Sequence, residues 1–338
     1  MSSLAVKYRP QTLDDMVSQT SVIKILKRQL QTGEIKNCYL FAGASGCGKT
    51  TAARAFGTAI NGGMGNIIEM DAASNNGVDN IKSIVHSASE RSVDSKYKVY
   101  VIDEAHALTN QSWQALLKTI EEPPKYTVFI FCTTDPQKIP VTILNRVMRF
   151  NFNRISSDKI CERLNYICSK EGYTDYAEAC DLLSRVCNGE MRAGIAYLEK
   201  CADYDTRITT ENVLTVIGNY SYDTFFSLLN NLVDGNSTEI YATIEELYNQ
   251  GNDLRIFVEQ FLTFCLDVSK YCLMHDFRLT RIPSTYEDKL KFAIGFENAG
   301  KYFEYYIDKL LALKNMLKND NDPKSTIDVM FSQMSRLV

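Results

Sequence analysis

Residues 43–50 read Gly-Ala-Ser-Gly-Cys-Gly-Lys-Thr, directly after the apolar run Cys38–Ala42 and directly before the helix-forming stretch Thr50–Ile60. Strand, glycine-rich turn and helix in that order are what a phosphate-binding loop requires. The glycines let backbone N–H groups curl around phosphate oxygens, and the helix N-terminus adds a favourable field. Gly43, Ala44, Ser45, Gly46, Cys47, Gly48, Lys49, Thr50 and Thr51 are therefore read as the cradle of a nucleoside triphosphate, ATP. Lys49 should reach the β- and γ-phosphates, and the Thr50 hydroxyl should ligate Mg²⁺. Cys47, beside Lys49 and the helix field, is expected to have a lowered thiol pKa.

The rest of the composition narrows the class. With 338 residues, 45% hydrophobic and 23% charged, the chain can bury ordinary cores in more than one domain. The densest apolar run, Phe261–Leu266, is far below the ~20 residues of a membrane span. The opening MSSLAVKYRP has no apolar signal segment, so a cytoplasmic protein is expected. Ten cysteines are present, the closest seven apart, as in Cys161–Cys168 and Cys180–Cys187. That spacing fits no zinc module and suggests buried, reduced thiols. A net charge of −4 argues against a dedicated lone DNA binder, leaving contact through local patches or a shared assembly.

Short β-like runs alternate with helical patterns over the first 150 or so residues. Strands are predicted at Cys38–Ala42, Asn66–Met70, Lys98–Ile102, Thr127–Cys132 and Val147–Phe152, each read as covered on both faces. Val22, Ile23, Leu26 and Leu30 line one intervening helix; Trp113, Leu116, Leu117 and Ile120 line another, stopped by Pro123-Pro124. The alternation predicts an α/β fold with a mostly parallel sheet. Beyond residue 155 the strand signal ends, Ser156-Ser157-Asp158 offers a helix cap, and Gly218-Asn219 and Asn319–Pro323 break the helical patterns. Three parts follow: 1–155, an ATPase domain; 156–218, a small helical domain; 219–338, a larger helical domain.

Four further features carry chemistry. In KVYVIDEAH, residues 98–106, Asp103 at a strand end can hold the Mg²⁺ shell and Glu104 can polarise the attacking water; His106 reads as structural. Thr133 and Thr134 follow the strand 127–132, where a hydroxyl could orient water or simply bond its own turn. Arg146, at the end of a short helical turn before the strand that starts at Val147, is too far along the chain to be assumed to meet its own phosphate loop; it is either a finger for a neighbouring subunit or half of a surface ion pair. Arg192, on a helix of the small domain, is either a γ-phosphate ligand or a solvated helix arginine.

The order of these motifs resembles the clamp-loader AAA+ ATPases, specifically the gamma/tau subunit of bacterial DNA polymerase III. AVKYRPQTLDDMVSQ resembles that family's adenine-pocket box, and IIEMDAASNNGVDNI and TTDPQKIPVTILNR resemble stretches that generic AAA+ proteins lack. The resemblance implies a P-loop AAA+ domain with a parallel sheet, then a small helical lid and an all-helical collar that oligomerises. It places Tyr8, Arg9 and Pro10 around adenine, Thr134 as sensor 1 (Thr133 the near alternative), Arg146 as the arginine finger and Arg192 as sensor 2. It also implies a pentameric spiral of homologous subunits that uses ATP and Mg²⁺ to open a ring-shaped sliding clamp and load it on primer–template DNA, gripped through phosphates by helix N-termini near Ser74–Asn80. The match departs from the family at four places. NGGMGN, residues 61–66, stands where cellular relatives carry a four-cysteine zinc module, so no zinc is expected. The finger triplet is Asn145-Arg146-Val147 rather than Ser-Arg-Cys. Asn76 replaces a common basic residue, which weakens an expected DNA contact. No tau-like extension follows residue 338; such a trimmed form suits a large bacteriophage or a minimal bacterium. Two other readings stand beside this one: a non-hydrolysing stator subunit of the same spiral, and another AAA+ DNA motor such as a branch-migration helicase. Intact Lys49, Thr50, Asp103 and Glu104 argue against the stator.

Overall fold

A computed structural model describes residues 3–63, 67–92, 95–217, 220–293, 295 and 299–336. Five strands form one sheet: β1 (Cys38–Gly43), β2 (Ile68–Asp71), β3 (Lys98–Asp103), β4 (Thr127–Thr133) and β5 (Met148–Phe152). Their order is β2-β3-β4-β1-β5, and every pairing is parallel. The helices that precede or separate them are α1 (Leu4–Lys7), α2 (Thr20–Thr32), α3 (Lys49–Ile60), α4 (Val78–Ala88), α5 (Asn110–Glu121) and α6 (Val141–Leu144). The predicted strands all exist, shifted by a residue or two at their ends; Asn66, the predicted start of the second, lies outside the described residues.

Side chains alternate across the sheet. Tyr39, Phe41, Val99, Val101, Val128 and Ile130 pack on one face with Leu26 and Phe56. Leu40, Tyr100, Ile102, Phe129 and Phe131 pack on the other with Trp113, Leu116 and Ile120. Both faces are thus covered, which explains the near-continuous apolar runs of the central strands. One expectation needs correction: β2 is not doubly covered. Its four residues are exposed or half-exposed, because it is the sheet edge and pairs only with β3. The opposite edge, β5, alternates buried and exposed positions.

The helical patterns beyond residue 155 become α7 (Ser157–Glu171), α8 (Ala177–Val186), α9 (Met191–Tyr204), α10 (Thr210–Ile217), α11 (Tyr222–Val233), α12 (Ser237–Asn249), α13 (Leu254–Met274), α14 (Glu287–Ala293), α15 (Ala299–Met316) and α16 (Pro323–Ser335). Ser156 stands at the N-cap of α7, though its side chain makes no capping bond. Asp322 does cap α16, accepting from Ser325 N, with Pro323 in the first turn.

Two compact units divide the chain. One comprises Met1–Gly172 and Cys187–Glu199; the other comprises Tyr173–Val186 and Lys200–Val338. The sequence boundary at 155 falls inside the first unit, and the Gly218-Asn219 break lies outside the described residues. The second unit has its own core, in which Phe225, Phe257, Phe261 and Phe331 meet with ring centroids 5.8–6.5 Å apart. Asp267, 1% exposed, accepts from Lys270 Nζ at 2.9 Å and from the Arg281 backbone N–H at 3.0 Å. A buried carboxylate needs such partners to offset its lost hydration. No described helix is long and apolar enough to cross a membrane.

Candidate nucleotide site

The sheet order puts the ends of β1, β4 and β3 side by side, with Ala42 opposite Thr133. The loop after β1 turns through Gly46 (φ +63°) and Gly48 (φ +101°) into α3. A Cβ on Gly43 would stand 2.2 Å from the Phe152 carbonyl oxygen, so β5 admits only glycine there. Lys49 is 6% exposed and donates to the carbonyls of Gly43 at 3.0 Å and Ala44 at 2.8 Å. The Thr50 hydroxyl donates to Asp103 Oδ2 at 2.8 Å, and Asp103 Oδ1 accepts from Glu104 N at 3.0 Å.

Glu104 sits where β3 ends, in the left-handed region at φ +46°. That conformation is costly for a residue with a side chain and is characteristic of functional sites. Its carboxylate Oε2 accepts from the Thr134 hydroxyl at 3.3 Å and lies 3.3 Å from His106 Nδ1. Thr133 is turned away: fully buried, its hydroxyl accepts from Asp135 N and meets His106 Nδ1 at 3.3 Å. The two threonines that the sequence left open thus have different surroundings, and Thr134 is the one that touches Glu104.

A cleft in the first unit is lined by Lys49, Thr50, Asp103 and Glu104 together with Tyr8, Arg9, Pro10 and Arg192. Tyr8 is pinned by α7: its hydroxyl donates to Glu171, and its carbonyl accepts from Arg163 Nη2 at 2.7 Å. Burial lowers the pKa of Arg9, as does nearby Arg54; Glu69 opposes this, Arg192 adds to it and Asp103 opposes it. The Arg9 guanidinium therefore stands in the field of groups at the phosphate end of the cleft. Arg192, exposed on the cleft wall, joins Lys49 there. Arg146 does not line this cleft. It donates to the Thr142 carbonyl at 2.7 Å and pairs with Glu121 at 2.8 Å.

Cys47 overturns an expectation. Its thiol pKa is raised, because burial outweighs the opposing charge of Lys49; the side chain is 1% exposed. The sequence also gave no sign of Gln19, which is buried at φ +69° before α2. Its amide donates to the Asn153 carbonyl at 2.7 Å and to the Cys47 carbonyl at 3.3 Å, and its Oε1 accepts from Asn153 N at 3.1 Å. Gln19 thereby ties the phosphate loop to the end of β5. Nothing in a lone glutamine signals such a role.

The donor set fits Mg²⁺ with a triphosphate. A hydroxyl and a carboxylate are paired at the loop, and Mg²⁺ keeps waters and takes substrate oxygens for the rest of its shell. Among the described residues no group of three or more His, Cys, Asp and Glu is placed to hold a metal by itself.

Comparison with known proteins follows the same line. Residues 65–156 match the family model of the DNA polymerase III delta subunit, and residues 208–291 match that of DNA polymerase III subunits gamma and tau, domain III. The DNA polymerase III subunit tau of Bacillus subtilis (strain 168) is 34% identical over 286 residues, which cover 78% of this chain and 51% of that protein. The subunit tau of Escherichia coli (strain K12) is 33% identical over 270 residues, covering 73% of this chain and 42% of that protein. The chain is gamma/tau-like. It spans about half the length of the curated relatives it matches. Among solved structures, the Thermotoga maritima RuvB Holliday junction branch migration motor superposes with a TM-score of 0.54 at 21% identity, over 67% of this chain and 79% of that one. This likeness is one of fold: the gamma/tau-like chain has the AAA+ P-loop architecture, and the two sequence relatives named above are polymerase III subunits.

Proposed function

We propose that this gamma/tau-like chain is an ATP-hydrolysing motor subunit of a cytoplasmic clamp loader, which opens a ring-shaped clamp and places it on primer–template DNA. The observation that carries the reading is the continuous wiring from Thr50 through Asp103 and Glu104 to Thr134 at the mouth of the phosphate loop. Lys49 exchanges loop carbonyls for the β- and γ-phosphates. Thr50 and Asp103 hold Mg²⁺, which when bound neutralises charge on the phosphate oxygens. Glu104 takes a proton from water as the new oxygen–phosphorus bond forms and the bond to ADP breaks. Thr134 orients Glu104, Arg192 contacts the γ-phosphate, and Tyr8, Arg9 and Pro10 border the rest of the nucleotide. Arg146 acts on a neighbouring subunit's site, the lid and collar being the helical parts at 156–218 and 219–338. DNA meets the N-terminal end of α4 through phosphates, and homologous subunits complete a pentameric spiral.

Steady-state hydrolysis by the purified chain with primer–template DNA and a cognate clamp tests this. Turnover should rise when both are added. Lys49→Ala should abolish binding of a fluorescent ATP analogue. Glu104→Gln should keep binding and lose about 10²-fold or more in turnover, the usual contribution of a general base. Undiminished turnover in Glu104→Gln would remove the proposed base.

A further inference from the structure

His106 read as structural from sequence, and the nucleotide chemistry above does not use it. Its position gives it a task. The imidazole is only 22% exposed, and Nδ1 lies 3.3 Å from Glu104 Oε2 and 3.3 Å from Thr133 Oγ1. Thr133 is itself fixed, fully buried and accepting the Asp135 N–H. The short turn Ala105–Ala107 immediately after Glu104 holds the ring in place, with Ala107 N donating to the Glu104 carbonyl at 2.8 Å.

The chemistry then constrains the proton. An ionised carboxylate only accepts hydrogen bonds. A bare nitrogen lone pair 3.3 Å from it would be repulsive, which favours the tautomer with its proton on Nδ1 over the one in which Nδ1 accepts from the Thr133 hydroxyl. Thr134 donates to the same oxygen, Oε2. Both contacts therefore fall on one carboxylate oxygen, while Oε1 has no hydrogen-bond partner among the described residues.

We propose that His106 is a positioning residue for Glu104: its Nδ1–H, together with the Thr134 hydroxyl, fixes Oε2 and so reserves Oε1 to take the proton of the attacking water. This rests on the reading of Glu104 as the base. It also gives a physical reason for the strained backbone at Glu104: the φ of +46° is compensated by a side chain held from two sides.

The test has an activity-free arm and a kinetic arm. The chain has three histidines, His86, His106 and His275, so long-range ¹H–¹⁵N spectra resolve each ring, and loss of one set in His106→Gln assigns it. Near pH 8 the His106 ring should be the Nδ1–H tautomer, and in Glu104→Ala it should revert toward the Nε2–H form common in water. An Nε2–H tautomer in the parent chain overturns the proposal. In the kinetic arm, His106→Ala should lower kcat about tenfold with ATP affinity changed less than twofold. His106→Asn, whose amide lies near the Nδ1 position, should recover at least half of the parent kcat, and His106→Gln should not. Equal rates for the Asn and Gln variants, or a loss traced wholly to ATP affinity, overturn the positioning role. Glu104→Gln separates the two claims: if it keeps turnover, the base assignment fails; if it is inactive while His106→Ala is unchanged, only the positioning role fails.

Discussion

At the scale of single residues, contiguity decided what could be read. The phosphate loop is eight consecutive residues, and its chemistry is local, so spacing alone exposed Lys49 and Thr50. The choice between Thr133 and Thr134 was not local. Both end the same strand, and only the sheet order, which brings β4 between β1 and β3, shows that one hydroxyl faces Glu104 while the other faces inward. Cys47 shows the opposite failure. Charge and helix field argue for a reactive thiol, yet depth is a tertiary property: at 1% exposure desolvation exceeds the attraction of Lys49 and raises the pKa. A raised pKa leaves little thiolate at neutral pH, and the thiolate is the nucleophile. In the native chain at pH 7.5, Cys47 should therefore react with iodoacetamide many-fold more slowly than a free thiol, as peptide mass spectrometry after timed quenching would record. Labelling at the free-thiol rate would mean that the loop opens readily.

Between elements, close approach sets limits that no propensity scale contains. The glycines at 43, 46 and 48 were visible in the sequence, but the reason for Gly43 was not: β5 pairs with β1 in register Gly43↔Phe152, leaving no room for a methyl group. Gly43→Ala should force the two strands apart and cost roughly 1–3 kcal/mol, the range for overpacking a tight site, seen as a lower midpoint in urea. A mutant of parental stability would show that the contact yields. The edge position of β2 escaped the pattern for a related reason: Ile67, Ile68 and Met70 read as a short apolar run, and only pairing reveals an edge. A second between-element tie joins the C-terminal end of α1 to α7, through Lys7, Tyr8 and Glu171. Hydrogen bonds from Lys7 and then Tyr8 hold the Glu171 carboxyl below its ordinary pKa. Its contribution is therefore fully present above the unfolded value of about 4.3 and is lost as pH falls through the lowered folded value. The difference in Tm between the parent chain and Glu171→Gln should accordingly stay level from pH 7 to 5 and shrink at more acid pH. A gap that widens on acidification would contradict the assigned sign.

For the whole molecule, the informative residue is the one outside the cleft. Arg146 pairs with Glu121 on the surface of its own unit, and an exposed pair of this kind holds its partner by only about 0.2–1 kcal/mol. A guanidinium so weakly held is available to a stronger site, and the charge that develops on a transferring phosphoryl group is such a site. If the finger acts between copies, each site needs Lys49 from one chain and Arg146 from the next. Lys49→Ala keeps the finger and loses the site; Arg146→Ala keeps the site and loses the finger. Each variant alone should hydrolyse ATP at no more than a few per cent of the parent rate. Mixed in equal amounts, they should regain a substantial fraction, because some interfaces then join an intact site to an intact finger. An arginine working within its own chain predicts no recovery at any mixing ratio. One acting only through its ion pair with Glu121 predicts that Arg146→Ala alone retains the parent rate. The three outcomes are separated by a single titration of one variant into the other, with released phosphate as the signal.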